Sequence, residues 1–489
     1  MKLDDLLYKN APAIEIEEIT DNSAKANASS LFFCICGARS DGHDYAMHAY
    51  QNGCRAFVCE RKITLPSDAY VYYTDNTRRA LALTAAKFYG EPSRQMTVVG
   101  ITGTKGKTTV ATLLHRLLCE MDIPCGYIGT NGVAYRDVSH PLKNTTPDPI
   151  TLQNTLRQML DAGVKAVIME VSSQAIYQSR IDGMAFDACV FTNLYTDHIG
   201  PSEHPSFDHY KHCKHCLFSD YGCKTMIANL DDRYASEMQE NTSATSIIGY
   251  STRSNQADYY AYNVLPTIGK RGYGVSFFLK DKENDIPFTL SMLGKFNVQN
   301  ALAVIATARE IFHVSLRDIA RHLSTLSVEG RTETLSLSNG ACVVIDYAHN
   351  GSSLSALLSA LREYKPNRLI CLFGSVGERS ELRRKALGNA AATLADLAIL
   401  TSDNPGREDP MAIISEIATS FEGTRTPCLT IPDRANAIQE AVKILLPNDI
   451  LVLAGKGHEN YQLIGSEKQP FSDREELLSA LKNARLTIL

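Results

Sequence analysis

The 489-residue sequence has no excess of positive charge and no long apolar run. Acidic residues outnumber basic ones by 54 to 49, which leaves a formal net charge of −5. Proteins that bind nucleic-acid backbones or anionic membranes are usually strongly basic, so neither class of partner is expected. No apolar stretch approaches the roughly 20 residues that span a bilayer. The acidic first residues lack the apolar core of a secretory signal, and we therefore expect a cytoplasmic protein.

A disulfide framework is also not expected. The sequence has 13 cysteines, an odd number, without an export signal, and cysteines in such chains are usually reduced. Residues 212–216, HCKHC, contain side chains that ligate zinc. Zinc sites usually draw their ligands from two separated pairs. No second CxxC or HxxxH pair occurs here, so a zinc site made of these thiols is disfavoured.

The length corresponds to about three domains of ~150 residues each. Residues 1–90 hold short apolar runs between turns, which indicates a small mixed α/β domain. Apolar strands then alternate with helical segments through residues 91–327, and a second block of this kind occupies residues 328–489. This alternation predicts an α/β protein with a central doubly wound parallel sheet and a Rossmann-like C-terminal domain. Ligands of such sheets bind beyond the carboxyl ends of the strands.

The clearest single motif is VVGITGTKGKTT, residues 98–109, in which a buried strand leads through a Gly-rich turn into a helix. The backbone N–H groups of such a turn bind phosphate oxygens. Lys107 is suited to neutralise phosphate charge, and the Thr108 hydroxyl is suited to bind Mg²⁺. The spacing differs from the common GxxxxGK[ST] pattern. We nevertheless predict a nucleotide-binding loop made of Gly103, Thr104, Lys105, Gly106, Lys107, Thr108 and Thr109.

Polar side chains also follow the next strands. Glu170 and His198 end two apolar segments of the same predicted sheet, and a carboxylate and an imidazole near a phosphate loop suit Mg²⁺. Asn144–Pro149 and Ser172–Arg180 are polar as well, but helix capping explains each of them singly. In the last block, DYAH, DNP and GKGHE end three strands, which predicts a binding edge for a second substrate.

Taken together, these motifs resemble the Mur ligase family over essentially the full length, and within it the UDP-N-acetylmuramyl-tripeptide synthetases. The segments that carry the resemblance are GTKGKTT, NTTPDP, MEVSSQAIYQSRIDG, FTNLYTDHIG, DYAHN, SDNPGREDP and AGKGHENYQ. The resemblance implies an ATP-dependent ligase of peptidoglycan synthesis. Such an enzyme adds the third stem-peptide amino acid to UDP-N-acetylmuramoyl-L-alanyl-D-glutamate through an acyl phosphate, and it is expected to be a monomer.

The resemblance also assigns roles to individual residues. Glu170 and His198 match magnesium ligands beside Thr108, and Lys214 matches a lysine that the family carbamylates and whose carbamate can bind the metal. Lys107, His198 and Lys214 are then the expected catalytic residues. Further ATP contacts are implied for Asn297, Asn300, Arg331 and Asp346. The muramyl-dipeptide acceptor is expected at Ser23, His43, Asn144, Thr145, Thr146, Ser172, Gln178 and Arg180. The arginine that the family usually has after Ser23 is Ala24 here, which departs from the uridine-binding pattern.

The third substrate is implied by Arg384, Asp403, Asn404, Gly455 and Glu459, which match amino-acid contacts of the family. Enzymes specific for meso-diaminopimelate typically have DNPR, whose arginine binds the distal carboxylate. Here Gly406 stands in place of that arginine. An acidic neighbour such as Asp403 or Glu459 suits the ammonium of lysine. The sequence therefore favours L-lysine, and meso-diaminopimelate remains the alternative.

Three other kinds of protein are less compatible with these motifs. A folylpolyglutamate-type ligase would lack the long N-terminal domain, and another Mur ligase would lack this combination of TTPDP, DNP and GKGHE. A P-loop motor or GTPase-like switch needs no acceptor, but no guanine-reading NKxD motif occurs. A non-catalytic binding module would be expected to lose Lys107, Glu170 or His198.

Overall fold

The computed structural model of the protein describes residues 1–7, 11–37, 40–200, 203–269, 272–378 and 381–489. These residues form two compact units, Met1–Asp258 with Ala303–His313, and Tyr259–Leu302 with Val314–Leu489. The three domain limits predicted from the sequence differ from this division and stay a prediction.

A small parallel sheet opens the first unit. Its strands, in spatial order, are β1 (Glu18–Thr20), β2 (Ser30–Phe33), β3 (Ala56–Cys59) and β4 (Tyr70–Tyr73). The helices of this region are α1 (Leu3–Leu6), α2 (Ala46–Gln51) and α3 (Thr77–Phe88), with a 3₁₀ turn at Gly42–Tyr45 before α2 and another at Pro92–Arg94. Alanines of α2 pack with Phe32 and Phe57, whereas Leu81 of α3 packs with Phe33. Both faces of the sheet are therefore covered, which is why its central strands are apolar throughout.

A larger sheet forms the rest of the first unit. Its strands are β5 (Thr97–Thr102), β6 (Cys125–Gly129), β7 (Gly132–Tyr135), β8 (Val138–His140), β9 (Ala166–Glu170), β10 (Ala188–Phe191), β11 (Thr225–Asn229) and β12 (Ser246–Ser251). Their spatial order is β12, β11, β10, β5, β9, β6, β7, β8, and among them only the pairs β6–β7 and β7–β8 are antiparallel. The helices are α4 (Lys107–Glu120), α5 (Pro149–Asp161), α6 (Ser173–Tyr177), α7 (Phe207–Cys216), which continues as a π-helical turn at Leu217–Tyr221, and α8 (Ala235–Gln239). β5 lies between β9 and β10, and the strand order proceeds in opposite directions on its two sides. Such topological switch points bind ligands.

The second unit begins with an antiparallel hairpin and a third strand, β13 (Tyr259–Gly269), β14 (Gly272–Lys280) and β15 (Asp285–Leu290). Two helices follow, α9 (Lys295–Phe312) and α10 (Leu316–Leu323). The residues of α9 up to Leu302 belong to this unit, and those from Ala303 belong to the first.

A six-stranded sheet forms the rest of the second unit. Its strands, in spatial order, are β16 (Glu333–Ser336), β17 (Cys342–Asp346), β21 (Ile450–Ala454), β18 (Leu369–Phe373), β19 (Leu397–Leu400) and β20 (Cys428–Thr430), and only β16 is antiparallel. The helices are α11 (Gly351–Arg362), α12 (Glu381–Leu394), α13 (Pro410–Ala418), followed by a 3₁₀ turn at Thr419–Phe421, α14 (Arg434–Lys443) and α15 (Asp473–Asn483). A hairpin of β22 (Tyr461–Ile464) and β23 (Glu467–Pro470) precedes α15. Separate apolar cores lie on the two faces of the sheet.

The predicted α/β class, built on parallel sheets, is confirmed by this architecture. Among the described residues, none of the helices is both long and apolar enough to cross a membrane. All 13 cysteines are free thiols, and ten of them are buried.

Candidate active site

The predicted phosphate loop connects β5 to α4 at the switch point of the sheet. Two of its glycines, Gly103 and Gly106, have positive φ angles of 148° and 87°. A Cβ atom at Gly103 would lie 1.9 Å from the Thr192 hydroxyl oxygen, so a side chain does not fit at this position. The loop is thus pressed against the end of β10, and glycine is needed for both conformation and space.

Asn193, directly after β10, holds this loop in place. Its carbonyl accepts a hydrogen bond from the Thr104 N–H (2.8 Å), and its side-chain oxygen accepts one from the Lys105 N–H (2.9 Å). The Tyr210 hydroxyl of α7 donates to the Thr104 hydroxyl (3.0 Å). The first hydrogen bond of α4 is from the Val110 N–H to the Gly106 carbonyl. The amides before it form a helix N-terminus, which favours anions. Asn193 was not among the predicted site residues, although it lies two residues after β10.

Two lysine side chains meet at one carbonyl of the loop. Lys107 Nζ and Lys214 Nζ each donate to the Gly103 carbonyl oxygen at 2.8 Å. Lys214 is only 1% exposed. Its burial, and then the charge of Lys107, lower the pKa of the Lys214 amine well below its usual range. The structure thus joins the lysine of α7 to the phosphate loop, which lies 111 residues earlier in the chain.

Glu170, at the end of β9, is fully buried and accepts three short hydrogen bonds. The donors are the Tyr127 hydroxyl (2.8 Å), the Thr130 N–H (2.8 Å) and the Thr108 hydroxyl (2.9 Å). The predicted pair of Glu170 and Thr108 is therefore in direct contact. Tyr127 and Thr130 were missed, although they belong to the YIGT segment that ends the neighbouring strand β6.

His198 has a left-handed backbone conformation with φ of 56°. Its side chain is 46% exposed, and its Nδ1 atom lies 3.1 Å from Glu203. Its ring is 5.9 Å from the ring of Tyr210. Within the described residues, its hydrogen bonds reach neither Thr108 nor Glu170, which bind each other directly.

The polar segments after α4 form a continuous band next to Glu170. The Thr145 hydroxyl lies 3.1 Å from that of Thr130, and the Thr146 hydroxyl donates to the Glu170 backbone carbonyl at 2.9 Å. Arg180 donates to the Thr146 carbonyl at 2.8 Å and also to the Gln178 side chain. Burial lowers the pKa of Arg180.

Two more residues predicted to contact the muramyl-dipeptide substrate adjoin this band in sequence. The Ser172 hydroxyl accepts a hydrogen bond from the Thr146 hydroxyl at 3.4 Å and caps the start of α6. Asn144 is exposed. Capping therefore describes part of this region, as the sequence analysis allowed.

The two candidates in the N-terminal sheet region have local partners. The Ser23 hydroxyl lies 3.0 Å from the His48 Nδ1 atom. His43 is buried, with Nδ1 at 2.6 Å from Asp41 and Nε2 accepting from the Glu60 N–H at 3.0 Å. Both ring nitrogens of His43 are thus engaged within the protein.

In the second unit, the expected ATP contacts form a hydrogen-bonded group. The Asn297 side chain donates to the Thr332 hydroxyl (3.0 Å) and accepts from Asn300 (2.9 Å). The Thr332 N–H donates to Asp346 (2.7 Å). The Arg331 guanidinium lies 4.4 Å above the Tyr347 ring. These residues come from α9 and from the start of the C-terminal sheet.

The expected amino-acid contacts surround a buried lysine that the sequence analysis missed. Lys456 is fully buried, and its Nζ atom lies 3.0 Å from Asn404, 3.2 Å from Glu459 and 3.6 Å from Asp403. Its position inside GKGHE was the available signal. A Cβ atom at Gly455 would lie 3.0 Å from an Asp403 carboxylate oxygen. This group has two carboxylates for one cation.

Arg384 lies among carboxylates of its own unit. It is 4% exposed and forms ion pairs with Glu408 and, at 2.7 Å, with Glu416. Gly406 has φ of 59°, and its N–H donates to the Leu463 carbonyl at 3.0 Å. The Arg384 side chain and the Gly406 N–H are therefore both bonded to other groups of the protein.

Three family models match this chain. The Mur ligase family catalytic domain matches residues 15–94, the Mur ligase middle domain matches residues 101–308, and the Mur ligase glutamate ligase domain matches residues 330–457.

Relatives that span nearly the whole chain are ligases of the same family. The UDP-N-acetylmuramoyl-L-alanyl-D-glutamate–2,6-diaminopimelate ligase of Caldanaerobacter subterraneus subsp. tengcongensis is 36% identical over 97% of this chain and 98% of its own. The Bacillus cereus enzyme of the same name is 36% identical over 96% of this chain and 94% of its own. A solved structure of such a ligase aligns with a TM-score of 0.74 at 27% identity and covers 99% of each chain. The chain therefore belongs to the Mur ligase family.

Proposed function

We propose that this protein is an ATP-dependent ligase that adds a diamino acid to UDP-N-acetylmuramoyl-L-alanyl-D-glutamate, acting as a monomer in the cytoplasm. Relatives that span nearly the whole chain are named for this ligation with 2,6-diaminopimelate. The observation that carries the proposal is the meeting of Lys107 and Lys214 at one carbonyl of the phosphate loop. The Lys107 cation and the N-terminus of a helix suit the transfer of a phosphoryl group.

In the proposed reaction, the D-glutamate carboxylate attacks the γ-phosphorus of ATP. The bond from this phosphorus to the β–γ bridging oxygen breaks, which gives ADP and an acyl phosphate. The amino group of the third substrate then attacks the acyl carbon, loses a proton and expels phosphate. Lys107 and the first amides of α4 would stabilise the charge on the phosphoryl oxygens. Asn297, Asn300, Arg331 and Asp346 are the proposed contacts for the rest of ATP.

The donor set around Glu170 fits Mg²⁺. Glu170 is a fully buried carboxylate whose described partners are hydroxyls and an N–H, and no cationic side chain pairs with it in the described part of the chain. A buried carboxylate usually has a cation nearby. Thr108 and Glu170 would hold the ion, with His198 and carbamylated Lys214 as further proposed ligands. The ion would offset the negative charge of the phosphate oxygens.

The surroundings of Lys214 support its carbamylation. A neutral amine is the form that attacks carbon dioxide, and burial favours this form here. The new N–C bond and the loss of a proton convert the amine into an anionic carbamate. Such a group would add a negative charge beside the phosphate loop. It would also allow Lys214 to act as a ligand for a cation.

The acceptor is proposed to bind along the band next to Glu170. Its carboxylate end must reach the γ-phosphate, and the half-buried guanidinium of Arg180 suits an anionic group. The proposed acceptor contacts are Asn144, Thr145, Thr146, Ser172, Gln178 and Arg180, with Ser23 and His43 for the uridine part.

For the third substrate, the charges favour a distal ammonium over a distal carboxylate. Arg384 is neutralised by Glu408 and Glu416, and Gly406 offers no side chain. Asp403 and Glu459 carry two negative charges against the one positive charge of Lys456, which leaves one negative charge in excess. We therefore favour L-lysine, while the names of the relatives support 2,6-diaminopimelate. Asn404 and Gly455 complete the proposed contacts.

The test is phosphate release by the purified protein with ATP, Mg²⁺ and UDP-N-acetylmuramoyl-L-alanyl-D-glutamate, with L-lysine, meso-diaminopimelate or L-ornithine added singly. Release that requires both the acceptor and one diamino acid is expected. Release without any acceptor would contradict the ligase, and release only with a folate and glutamate would favour a folylpolyglutamate-type enzyme. Release only with meso-diaminopimelate would overturn the preference for lysine.

A further inference from the structure

A cluster of two imidazoles and one thiol lies beside α7, outside the residues assigned above. The Nδ1 atoms of His204 and His209 are 2.9 Å apart, and the Cys213 sulfur lies 3.8 Å from the His209 Nδ1 atom. One donor atom from each of the three residues lies within 4.8 Å of the others. The ligands of a tetrahedral zinc ion are separated by roughly 3.3 to 3.6 Å, given its bond lengths. The observed separations bracket this range.

The local structure holds the three side chains in this arrangement. Ser206 caps the start of α7 by accepting a hydrogen bond from the His209 N–H. His209 and Cys213 are one helical turn apart and therefore share a face. His204 precedes the helix, and its own N–H donates to the His198 carbonyl at 3.0 Å. The backbone on both sides of the cluster is thus anchored.

A fourth residue orients the buried imidazole. The His204 Nε2 atom lies 2.9 Å from the Ser173 hydroxyl of α6. With the proton on Nε2 donated to this hydroxyl, the Nδ1 lone pair points at His209 and Cys213. Histidine ligands of metals commonly have their other nitrogen fixed in this way. His204 is fully buried and Cys213 is 4% exposed, whereas His209 is half-buried and leaves a route for an ion.

We propose that His204, His209 and Cys213 form a site for a divalent ion of the zinc class, with an exchangeable fourth ligand. Two nitrogens and one sulfur favour such an ion over Mg²⁺, which prefers oxygen ligands. The ion would fasten α7 to the segment before it. This helix also carries Tyr210 and Lys214, so the site would hold the helix whose side chains reach the phosphate loop.

The pattern HCKHC alone does not identify this site. The same helix has a second pair with the same spacing, His212 and Cys216, whose nitrogen and sulfur are 3.6 Å apart. No third donor joins that pair among the described residues. It therefore offers a matched control on the same helix.

The test uses Co²⁺ as a spectroscopic substitute for Zn²⁺ on the full-length protein after removal of metals by a chelator. We expect one equivalent of Co²⁺ to produce a thiolate-to-cobalt absorption band that Zn²⁺ abolishes. Cys213→Ser should remove the band, and His204→Ala or His209→Ala should weaken Co²⁺ binding by more than about tenfold. The control variants His212→Ala and Cys216→Ser should retain both the band and the affinity.

Two results would overturn the proposal. One is the absence of a thiolate band in the unmodified protein, which would leave the imidazoles as a hydrogen-bonded pair. The other is a band that survives Cys213→Ser and disappears in Cys216→Ser. The titration of the unmodified protein and of Cys216→Ser decides the matter even if a variant in the cluster does not fold. Circular dichroism checks the folding of each variant.

Discussion

Single residues carry the strictest steric requirement in the phosphate loop. Gly103→Ala would bring a methyl group within 1.9 Å of the Thr192 hydroxyl, at a φ angle that side chains rarely adopt. We expect a stability loss of about 2–5 kcal/mol, since overpacking costs about 1–3 kcal/mol and a positive φ costs about 1–2 kcal/mol. Urea unfolding measures it. Gly423→Ala is the control, because that glycine also has a positive φ but has no atom within 4 Å of the added Cβ. Equal losses in both variants would contradict the steric argument.

The buried amine of α7 gives a second prediction. Lys214→Gln removes the group that contacts the Gly103 carbonyl and that we propose to be carbamylated. Turnover in the phosphate-release assay should fall by about 100-fold, as for other electrostatic groups at reacting oxygens. Lys211 lies on the same helix as Lys214 and pairs with Glu237 of α8, and Lys211→Gln should stay near the unmodified rate. Similar rates for the two variants would remove Lys214 from the reaction.

Helices α14 and α15 begin at the two partners of a buried ion pair. Arg434 and Asp473 are fully buried, with two contacts of 2.7 Å. Asp473→Asn leaves the guanidinium charge without its counter-ion, and we expect a loss of about 3–5 kcal/mol. Glu440→Gln breaks the exposed pair with Lys443 and should cost less than about 1 kcal/mol. Denaturant unfolding of both variants tests the contrast, and a small effect at Asp473 would show that the charge is satisfied in another way.

The loop that follows β17 makes the stability of the second unit sensitive to acid. Burial, and then the charge of Arg383, lower the pKa of His349 to about 4, while an unfolded histidine titrates near 6.5. Between these values the unfolded chain binds more protons, so this contribution is complete above about pH 6.5 and is lost as the pH falls toward 4. His349→Gln should reduce the difference in unfolding free energy between pH 7.5 and 5. His313 is exposed and serves as the control, and His313→Gln should retain the pH difference in unfolding free energy. An unchanged pH difference in His349→Gln would contradict the role given to His349.

Across the whole molecule, the thiols provide a test of packing. Only Cys36 and Cys119 are exposed, Cys428 is partly buried, and the other ten are buried. Burial also raises the pKa of Cys342 to about 12, which suppresses its reactive thiolate. We expect two thiols to react quickly with Ellman's reagent in the native protein, one to react slowly, and all 13 to react in denaturant. More than three reactive thiols in the native state would indicate looser packing.

The local elements of this protein follow from short sequence patterns. The apolar run before Gly103 predicted a strand that the structure has at Thr97–Thr102, and the pattern after Lys107 predicted the helix Lys107–Glu120. These patterns are readable because strands buried on both faces are uniformly apolar, and because glycine and helix spacing act over a few residues. The antiparallel strands β13 to β15 were not predicted, since their partly exposed residues lack a clear apolar run.

Contacts between residues that are distant in the sequence depend on the tertiary fold. Lys214 reaches the loop 111 residues earlier, and His204 joins a pair on α7 that the sequence motif alone had disfavoured as a metal site. Arg384 forms ion pairs with Glu408 and Glu416, and no spacing in the sequence predicts these pairs. The physical reason is that a local pattern specifies an element and its buried face, whereas contacts between elements depend on how the whole sheet stacks them.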